Sequence, residues 1–438
     1  MGMMKIVLYV AVVLLPLVIA VAVKPFSDKP FLYEIGRGAA LMGFVMLMLQ
    51  PILAGRFKWI ESSYGLDVLI RFHRNAAVLA AVLLLAHPLL LTSEHGIGLF
   101  ISLDVPWPLY FGKAALVLVL VNLALGFYFL PRGMKFERWR LYHDIVGPTI
   151  LVLILIHSYF QGHDLKDSDL MRGMWLGIAA LAVAVFVHHR IIRPRLLAGQ
   201  TYQVTEVKQE TEDVWTIRLA PPAGVSFPAY NPGQFHFLTF RRDKGLPVEE
   251  HHWTISSSPT EKDFVSSTIK ELGDFTATIG RTRPGDRAVV QAPFGRFSHT
   301  YHPDEKQLIF VAGGIGITPI RSMLKHMQDT GSTRDVVLFY ANARRQDIVF
   351  YDELAAIEQG AHPHLRVVHV LTQPPEDWRG EAGKIDADMI RKYIEIEKPG
   401  NGFYLCGPPG LLAAVIDILK SHGVEDRRIH TEIFSFLD

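Results

Sequence analysis

The sequence predicts a multidomain chain: a six-helix transmembrane bundle, then an antiparallel β-barrel, then a doubly wound α/β domain. Three observations predict it. Half of the 438 residues are apolar and the mean hydropathy is positive, which is unusual for a soluble protein. The apolar residues gather in charge-free runs in roughly the first 195 positions. The remainder alternates strand-like and helix-like segments of ordinary charge. The expected divisions are 1–196, 197–303 and 304–438.

Crossing the hydrocarbon core takes about 17 to 25 apolar residues. Six runs reach or approach that length: 6–23, 38–53, 75–92, 114–130, 145–160 and 175–187. The shorter ones need their flanks to complete a crossing, as 66–74 would for the third. The first run follows Lys5 and is followed by the small residues Ala20 and Ala22, as a signal peptide would be, but it is longer than a usual signal core. It is expected to stay as a span.

Arg56, Lys58, Arg71 and Arg74 flank the second loop, Lys135, Arg138 and Arg140 the fourth, and Arg190, Arg193 and Arg195 follow the last run. The third loop, 93–108, has no Lys or Arg. The positive-inside rule then puts the even loops and the long C-terminal half in the cytoplasm of a multi-pass protein of the cell (inner) membrane. A formal net charge of +1 without a dense basic tract gives no case for nucleic acid. The single cysteine, Cys406, excludes an intrachain disulfide and a four-cysteine iron-sulfur cluster.

Histidine within a membrane span is costly enough to be read as functional. His73 and His87 lie at the start of and within the third run, and His143 and His157 hold corresponding places on the fifth, so a spacing of fourteen repeats. On a helix, fourteen steps bring both histidines of a run to nearly one side, roughly 21 Å apart along the axis. The two runs point the same way, so His73 should meet His143 near the cytoplasmic face and His87 should meet His157 near the outer face. Two axial-ligand pairs for two stacked haems result. Zinc suits histidine clusters too, but two sites each with two facing imidazoles fit bis-histidine haem better.

This pattern, with the phrases RFHRNAA at 71–77, HP at 87–88 and LYHDIVG at 141–147, resembles the ferric reductase-like transmembrane domain shared by NADPH oxidases and ferric reductases. The resemblance implies two b-type haems conducting electrons across the bilayer. Arg74 could pair with an inner haem propionate or anchor the interface. Arg37 resembles, by position, the arginine that NADPH oxidases place near the outer haem, and propionate pairing is its alternative. His163, Asp164, Asp167 and Asp169 could concentrate cations or form a solvated acidic turn.

From 201 to 291, short alternating strands broken by Pro and Gly suggest a small antiparallel barrel: 203–207, 214–219, 235–240, 253–256, 264–270 and 287–291. Within it lie Pro232, Gly233, Gln234 and Phe235, then His251, His252, Trp253, Thr254, Ile255, Ser256 and Ser257, then Lys270, Gly273, Asp274, Phe275 and Thr276. A Trp-Thr strand end can give a flavin ring a flat wall and polar donors together. Gly273 to Thr276 could form a backbone nest for a pyrophosphate at a helix start. The order PGQF, HHWTISS, IKELGDFT, PFGRF is similar to the FAD domain of the ferredoxin-NADP reductase type. Where many soluble relatives carry arginine, this chain has His251, as NADPH oxidases do.

Beyond 304, strand and helix alternate: strands at 308–312, 336–340, 365–371 and 402–405, with helices through 321–327 and from 348. That is a parallel doubly wound sheet. Gly313, Gly314, Ile315, Gly316, Ile317, Thr318 and Pro319 follow the first strand, so their backbone can approach a pyrophosphate. Cys406, Gly407, Pro408 and Pro409 resemble the CGPP segment whose cysteine lies beside the nicotinamide in this reductase family; a buried small apolar residue is the alternative. Arg344 and Arg345 follow the second strand, where a 2′-phosphate would sit, which favours NADPH over NADH unless the loop is merely solvated. Glu432 and Phe434 resemble the family's terminal Glu-x-aromatic, which implies that Phe434 covers the flavin until nicotinamide displaces it.

The expected activity is transfer of electrons from cytoplasmic NAD(P)H through FAD and two haems to a small acceptor outside, a ferric chelate or dioxygen, with Cys406, Phe434, Trp253 and Thr254 at the hydride-transfer step. Two alternatives stay open. One is a membrane-anchored flavin reductase serving a partner protein; the other is a histidine-based haem or ion transporter with a regulatory nucleotide domain.

Overall fold

The computed structural model describes residues 2–23, 29–92, 102–243 and 245–434. The chain splits into two compact units, Met1–Pro194 and Arg195–Asp438.

The first unit is helical. Its long helices are α1 (Gly2–Val23), α2 (Phe31–Met48), α3 (Leu66–Leu91), α4 (Trp107–Ala124), α5 (Phe136–Gln161) and α6 (Asp169–Val187). Short helices at Gln50–Ala54, Lys58–Tyr64 and His163–Asp167 fill connections, and π-turns at Leu125–Phe129 and His188–Ile192 prolong α4 and α6. All six are long and apolar enough to cross a membrane. Most extend past the apolar runs, because hydropathy marks only the lipid-facing middle: α3 begins nine residues before the run at 75, through Asp67, Arg71 and His73. The third loop's 93–101 lies outside the described residues.

Within the unit's interior small residues sit among large ones and let helices approach closely, which matters where lipid supplies no hydrophobic drive between helices. Ala76, Ala80 and Ala81 of α3 and Ala179 and Ala182 of α6 are buried with Phe44 of α2 and Trp175 of α6, which stack at 3.8 Å. By contrast Val82, Leu79, Val117 and Val152 are more than half exposed. That is the pattern of side chains meant for hydrocarbon. α2 packs along α3 and α4 along α5, whereas α3 and α5 barely touch.

The second unit holds two six-stranded sheets. The first comprises β1 (Tyr202–Thr211), β2 (Val214–Ala220), β3 (Phe235–Arg241), β4 (Glu250–Thr254), β5 (Val265–Lys270) and β6 (Arg287–Phe294), in the order β4-β3-β6-β1-β2-β5. Every pairing is antiparallel. The sheet curls until its edges meet, the Ser256 amide just past β4 donating to the Ser266 carbonyl of β5 at 2.8 Å. Val204, Ile217, Leu219, Leu238, Phe240 and Ile269 fill its interior.

The second sheet is parallel throughout: β7 (Gln307–Gly313), β8 (Asp335–Asn342), β9 (His364–Leu371), β10 (Glu381–Ala382), β11 (Asn401–Cys406) and β12 (Ile429–Glu432), ordered β10-β9-β8-β7-β11-β12. Helices α7 (Ile317–Asp329), α8 (Tyr351–Gln359), α9 (Ala387–Tyr393) and α10 (Pro409–Ser421) alternate with the strands. Two separate clusters, one with Phe310, Leu338 and Tyr404, the other with Ile309, Phe339 and Phe403, show that both faces are covered. Strand order reverses between β7 and β11, where such sheets bind ligands beyond the strand ends.

Candidate functional site

The four membrane histidines come together as two pairs. His73 and His143 face each other with ring centroids 6.1 Å apart, and His87 and His157 do so at 6.5 Å. The members of each pair come from α3 and α5, two helices that stand apart, so the imidazoles meet across a gap rather than in a packed seam. A metal bound axially by two imidazoles at about 2 Å per nitrogen separates the ring centres by about 6.3 Å. Both pairs fit that spacing.

The second test is the tautomer. Nδ1 of His87 meets the Gly36 carbonyl at 3.0 Å, Nδ1 of His157 the Pro108 carbonyl at 3.0 Å, and Nδ1 of His143 the Asn122 Oδ1 at 3.1 Å. Each acceptor keeps the proton on Nδ1 and leaves Nε2 with its lone pair, the form an iron ligand needs. Nδ1 of His73 is buried without a hydrogen bond of standard geometry, beside the Gln50 backbone. Trp139 stacks on His143 at 5.2 Å and fixes its plane. A Cβ on Gly112 would stand 2.8 Å from the His157 ring, so only glycine leaves that ring its place. The residues fit bis-histidine haem. Asn122, Gly36 and Gly112 were missing from the sequence reading, though Asn122 is visible there as a lone amide within the apolar stretch 114–130.

The polar groups at the ends of the spans depart from expectation. Arg37 is held by both oxygens of Asp164, its Nε donating at 2.8 Å, and by Glu34 at 2.8 Å. Asp164 is therefore no solvated acid, and Arg37 is not an unengaged cation. Asp169 pairs with Arg172 at 3.0 Å, which further reduces the acidity expected of this loop. Arg74 stays exposed.

In the barrel, β4 carries His251, His252 and Trp253 along the sheet edge. His251 packs on Phe275 at 4.2 Å, and Trp253 stacks near-parallel to Phe275 at 5.9 Å. A partly exposed aromatic wall of this kind suits a flat heteroaromatic ring such as a flavin. His251 Nε2 is 3.0 Å from Glu249, so the imidazole has an acidic partner. Thr254 is buried, and its carbonyl accepts from Ser267.

The expected nest at Gly273 to Thr276 is altered. The Thr276 hydroxyl accepts from the amides of Leu272 and Gly273 at 2.8 and 2.9 Å, and a short 3-10 turn, Thr276–Arg281, follows instead of an α-helix. Those two amides are thus spent locally, while Asp274 is exposed. Lys270 pairs with Asp213 at 3.3 Å. Ser256 and Ser257 are buried in a hydroxyl network with Ser266 and Thr268, and their carbonyls accept from Arg321 and Ser322 of α7, each at 2.7 Å. These serines stitch the two sheets together. Arg242, absent from the sequence reading, holds Thr278 and lies 5.1 Å from the Phe275 ring, fixing the aromatic wall from behind.

In the α/β sheet the two glycine motifs lie side by side. Cys406 pairs in register with Ala312, so both segments leave adjacent strands at the point where strand order reverses. A Cβ on Gly316 would be 2.2 Å from the Cys406 carbonyl, and one on Gly313 would be 2.7 Å from Pro408. Gly314 takes φ +52 facing open space. Thr318 and Pro319 are buried in the first turn of α7, the Thr318 hydroxyl donating to the Ile315 carbonyl at 3.1 Å. Such a glycine turn before a helix N-terminus is suited to phosphate. Burial pushes the Cys406 thiol well above its usual pKa, helped by Glu432, so it is a neutral side chain and no thiolate nucleophile. Gly407 follows it.

Arg344 and Arg345 do not form an open fork. Arg344 folds back on Asp347 at 3.1 Å, which raises its pKa, and Arg345 lies 3.8 Å from Asp377. Phe434 follows β12 and is 39% exposed.

With both sites described, comparison with known proteins places each half. Residues 39–154 match the ferric reductase like transmembrane component, and residues 310–417 match the oxidoreductase NAD-binding domain. The chain joins these two modules in one polypeptide. It carries a membrane-spanning unit of the ferric reductase type and a nucleotide-binding module of the oxidoreductase type. The reductase half is similar to the reductase component of propane 2-monooxygenase from Rhodococcus jostii, 28% identical over 53% of this chain and 63% of that protein. It is also similar to sulfhydrogenase 1 subunit gamma from Pyrococcus furiosus, 27% identical over 54% and 77%. A third relative is the ferredoxin reductase component of 3-ketosteroid-9-alpha-monooxygenase from Mycolicibacterium smegmatis, 31% identical over 54% and 65%. The chain spans less than two thirds of the length of the first and third of these relatives.

Proposed function

We propose that this oxidoreductase carries electrons from cytoplasmic NAD(P)H through FAD and two b-type haems to a small acceptor, a ferric chelate or dioxygen, on the other side of the cell (inner) membrane. The observation that carries the reading is the pair of facing imidazole couples on α3 and α5, with three of the four Nδ1 atoms held by acceptors. His73 with His143 would hold one haem and His87 with His157 the other. When bound, FAD would supply the conversion of a two-electron hydride donor into the single-electron steps that haem requires.

The chain's own residues do the positioning. Gly313, Gly314 and Gly316 present the turn and helix start to the pyrophosphate, and Thr318 and Pro319 brace its first turn. Cys406, Gly407 and Pro408 bring a neutral, uncharged edge against the nicotinamide. Trp253, Thr254 and Phe275 form the flavin wall, and Phe434 covers the ring when nicotinamide is absent; His251, His252, Lys270, Gly273, Asp274 and Thr276 stand around its phosphates once His251 and Lys270 exchange Glu249 and Asp213 and the Thr276 hydroxyl releases the Gly273 amide. NADPH is preferred on the strength of Arg344 and Arg345, which must exchange Asp347 and Asp377 for the 2′-phosphate. Direction rests on the loop charges.

The test encloses NADPH in sealed proteoliposomes loaded with haem and FAD, and assays superoxide and ferrous iron outside. Product outside supports the reading; NADPH consumed with no external product sinks the transmembrane step. The relatives' names favour a second reading, an anchored reductase feeding a partner protein, which predicts no haem absorbance in the purified protein.

A further inference from the structure

Toward the N-terminal ends of β7 and β11, away from the glycine turns, the second unit buries a carboxylate that the proposed electron path does not use. Glu305, just before β7, is 2% exposed. Tyr404 of β11 donates to its Oε2 at 2.5 Å, and Nε2 of His430 on β12 donates to its Oε1 at 2.7 Å. The cleft is cut to shape, since a Cβ on Gly402 would lie 2.1 Å from Glu305 Oε2.

A tyrosine, a glutamate and a histidine so bonded form a satisfied network on their own. His302 does not belong to it. Its ring lies on His430 at 4.0 Å and 31°, yet its nitrogens make no hydrogen bond among the described residues. His302, Glu305 and His430 each offer one ligand atom, and these atoms lie within 4.8 Å of one another.

We propose that His302, Glu305 and His430 form a binding site for a divalent transition-metal ion of the zinc class. Two imidazoles and one carboxylate are a donor set for borderline cations, with a fourth position left for water. Tyr404 orients the carboxylate through its second oxygen. On binding, His430 moves its proton from Nε2 to Nδ1, and the Glu305 and His430 ligand atoms open to the roughly 3.3 Å that separates tetrahedral ligands. Asp304 adds negative charge facing His302, and Arg296 opposes it. His302 sits in the segment that links the two sheets, and β12 leads directly to Phe434. The ion therefore ties the linking segment to the strand that carries the terminal aromatic.

The test uses the full-length, haem- and flavin-loaded protein, stripped with a chelator, dialysed against micromolar zinc and assayed by elemental mass spectrometry. The wild type is expected to hold one zinc per chain that His302→Ala lacks. His302→Ala leaves the Glu305, Tyr404 and His430 bonds intact, and its flavin content and melting temperature verify the fold. Tyr404→Phe is expected to weaken zinc by about 10- to 100-fold. Equal zinc in the wild type and His302→Ala, including none in both, overturns the site.

Discussion

The two halves of this chain use opposite means to position their chemistry. In the membrane unit the site is built from side chains: four imidazoles on two helices that barely touch, three of them aimed by a carbonyl or a side-chain amide and one of those three also by a stacked indole. In the α/β sheet it is built from backbone: Gly313 and Gly316 are glycine because the next strand's Cys406 to Pro408 leave no room for a Cβ. A side-chain site can therefore be dismantled one group at a time with the scaffold standing. A backbone site cannot, since the atoms that would bind are also those that pack.

That contrast can be broken in four ways, from the largest expected effect to the smallest. His87→Ala or His157→Ala is expected to halve the haem absorbance per chain and leave the signal of the His73 and His143 pair; unchanged haem content would remove the ligand assignment. Gly316→Ala forces a methyl to within 2.2 Å of the Cys406 carbonyl, so it should cost about 1–3 kcal/mol of stability together with NADPH binding. A variant that melts normally but no longer binds NADPH would show that backbone packing and binding are separable after all. Asn122→Leu takes the acceptor from His143 Nδ1 and is expected to weaken only the haem of that pair, by about 10- to 100-fold, in a haem-competition assay.

The smallest effect is one of pH. Burial depresses His236, inside the barrel and 2.5 Å from the Ser267 hydroxyl, to about 3, and His299 also to about 3. Both are neutral when folded, while unfolded histidine takes a proton below about 6.5. Their contribution to stability is thus present above about 6.5 and is lost progressively as pH falls toward 3. Melting of the second unit, followed by flavin fluorescence, should fall over that window, and His236→Gln should flatten the slope. A wild-type slope unaltered in the variant would show that His236 titrates normally.

The same contrast explains what the sequence made legible. A spacing of fourteen on two parallel helices dictates which histidines meet, because helix geometry is regular over that length. What aims them was hidden: the Gly36 and Pro108 carbonyls belong to backbone, which every residue has. Arg37 and Asp164 are 127 positions apart, and no local pattern announces their pairing. In the reductase half the order of the motifs revealed the two sheets, and strand reversal put Gly313 beside Cys406. Nothing in IKELGDFT announced that Thr276 would use its hydroxyl to satisfy the amides of Leu272 and Gly273, since any threonine three or four residues ahead of a bare amide has that option. Arg344 and Asp347 stand three apart, a spacing at which an ion pair could have been foreseen.

The most direct measurement is an anaerobic NADPH titration of the purified, haem- and FAD-loaded protein, read by visible absorbance. The account predicts that the flavin bleaches and that the bands of both bis-histidine haems are reduced, with only one remaining to be reduced in His87→Ala. Bleaching of the flavin with the haem bands unmoved would contradict it.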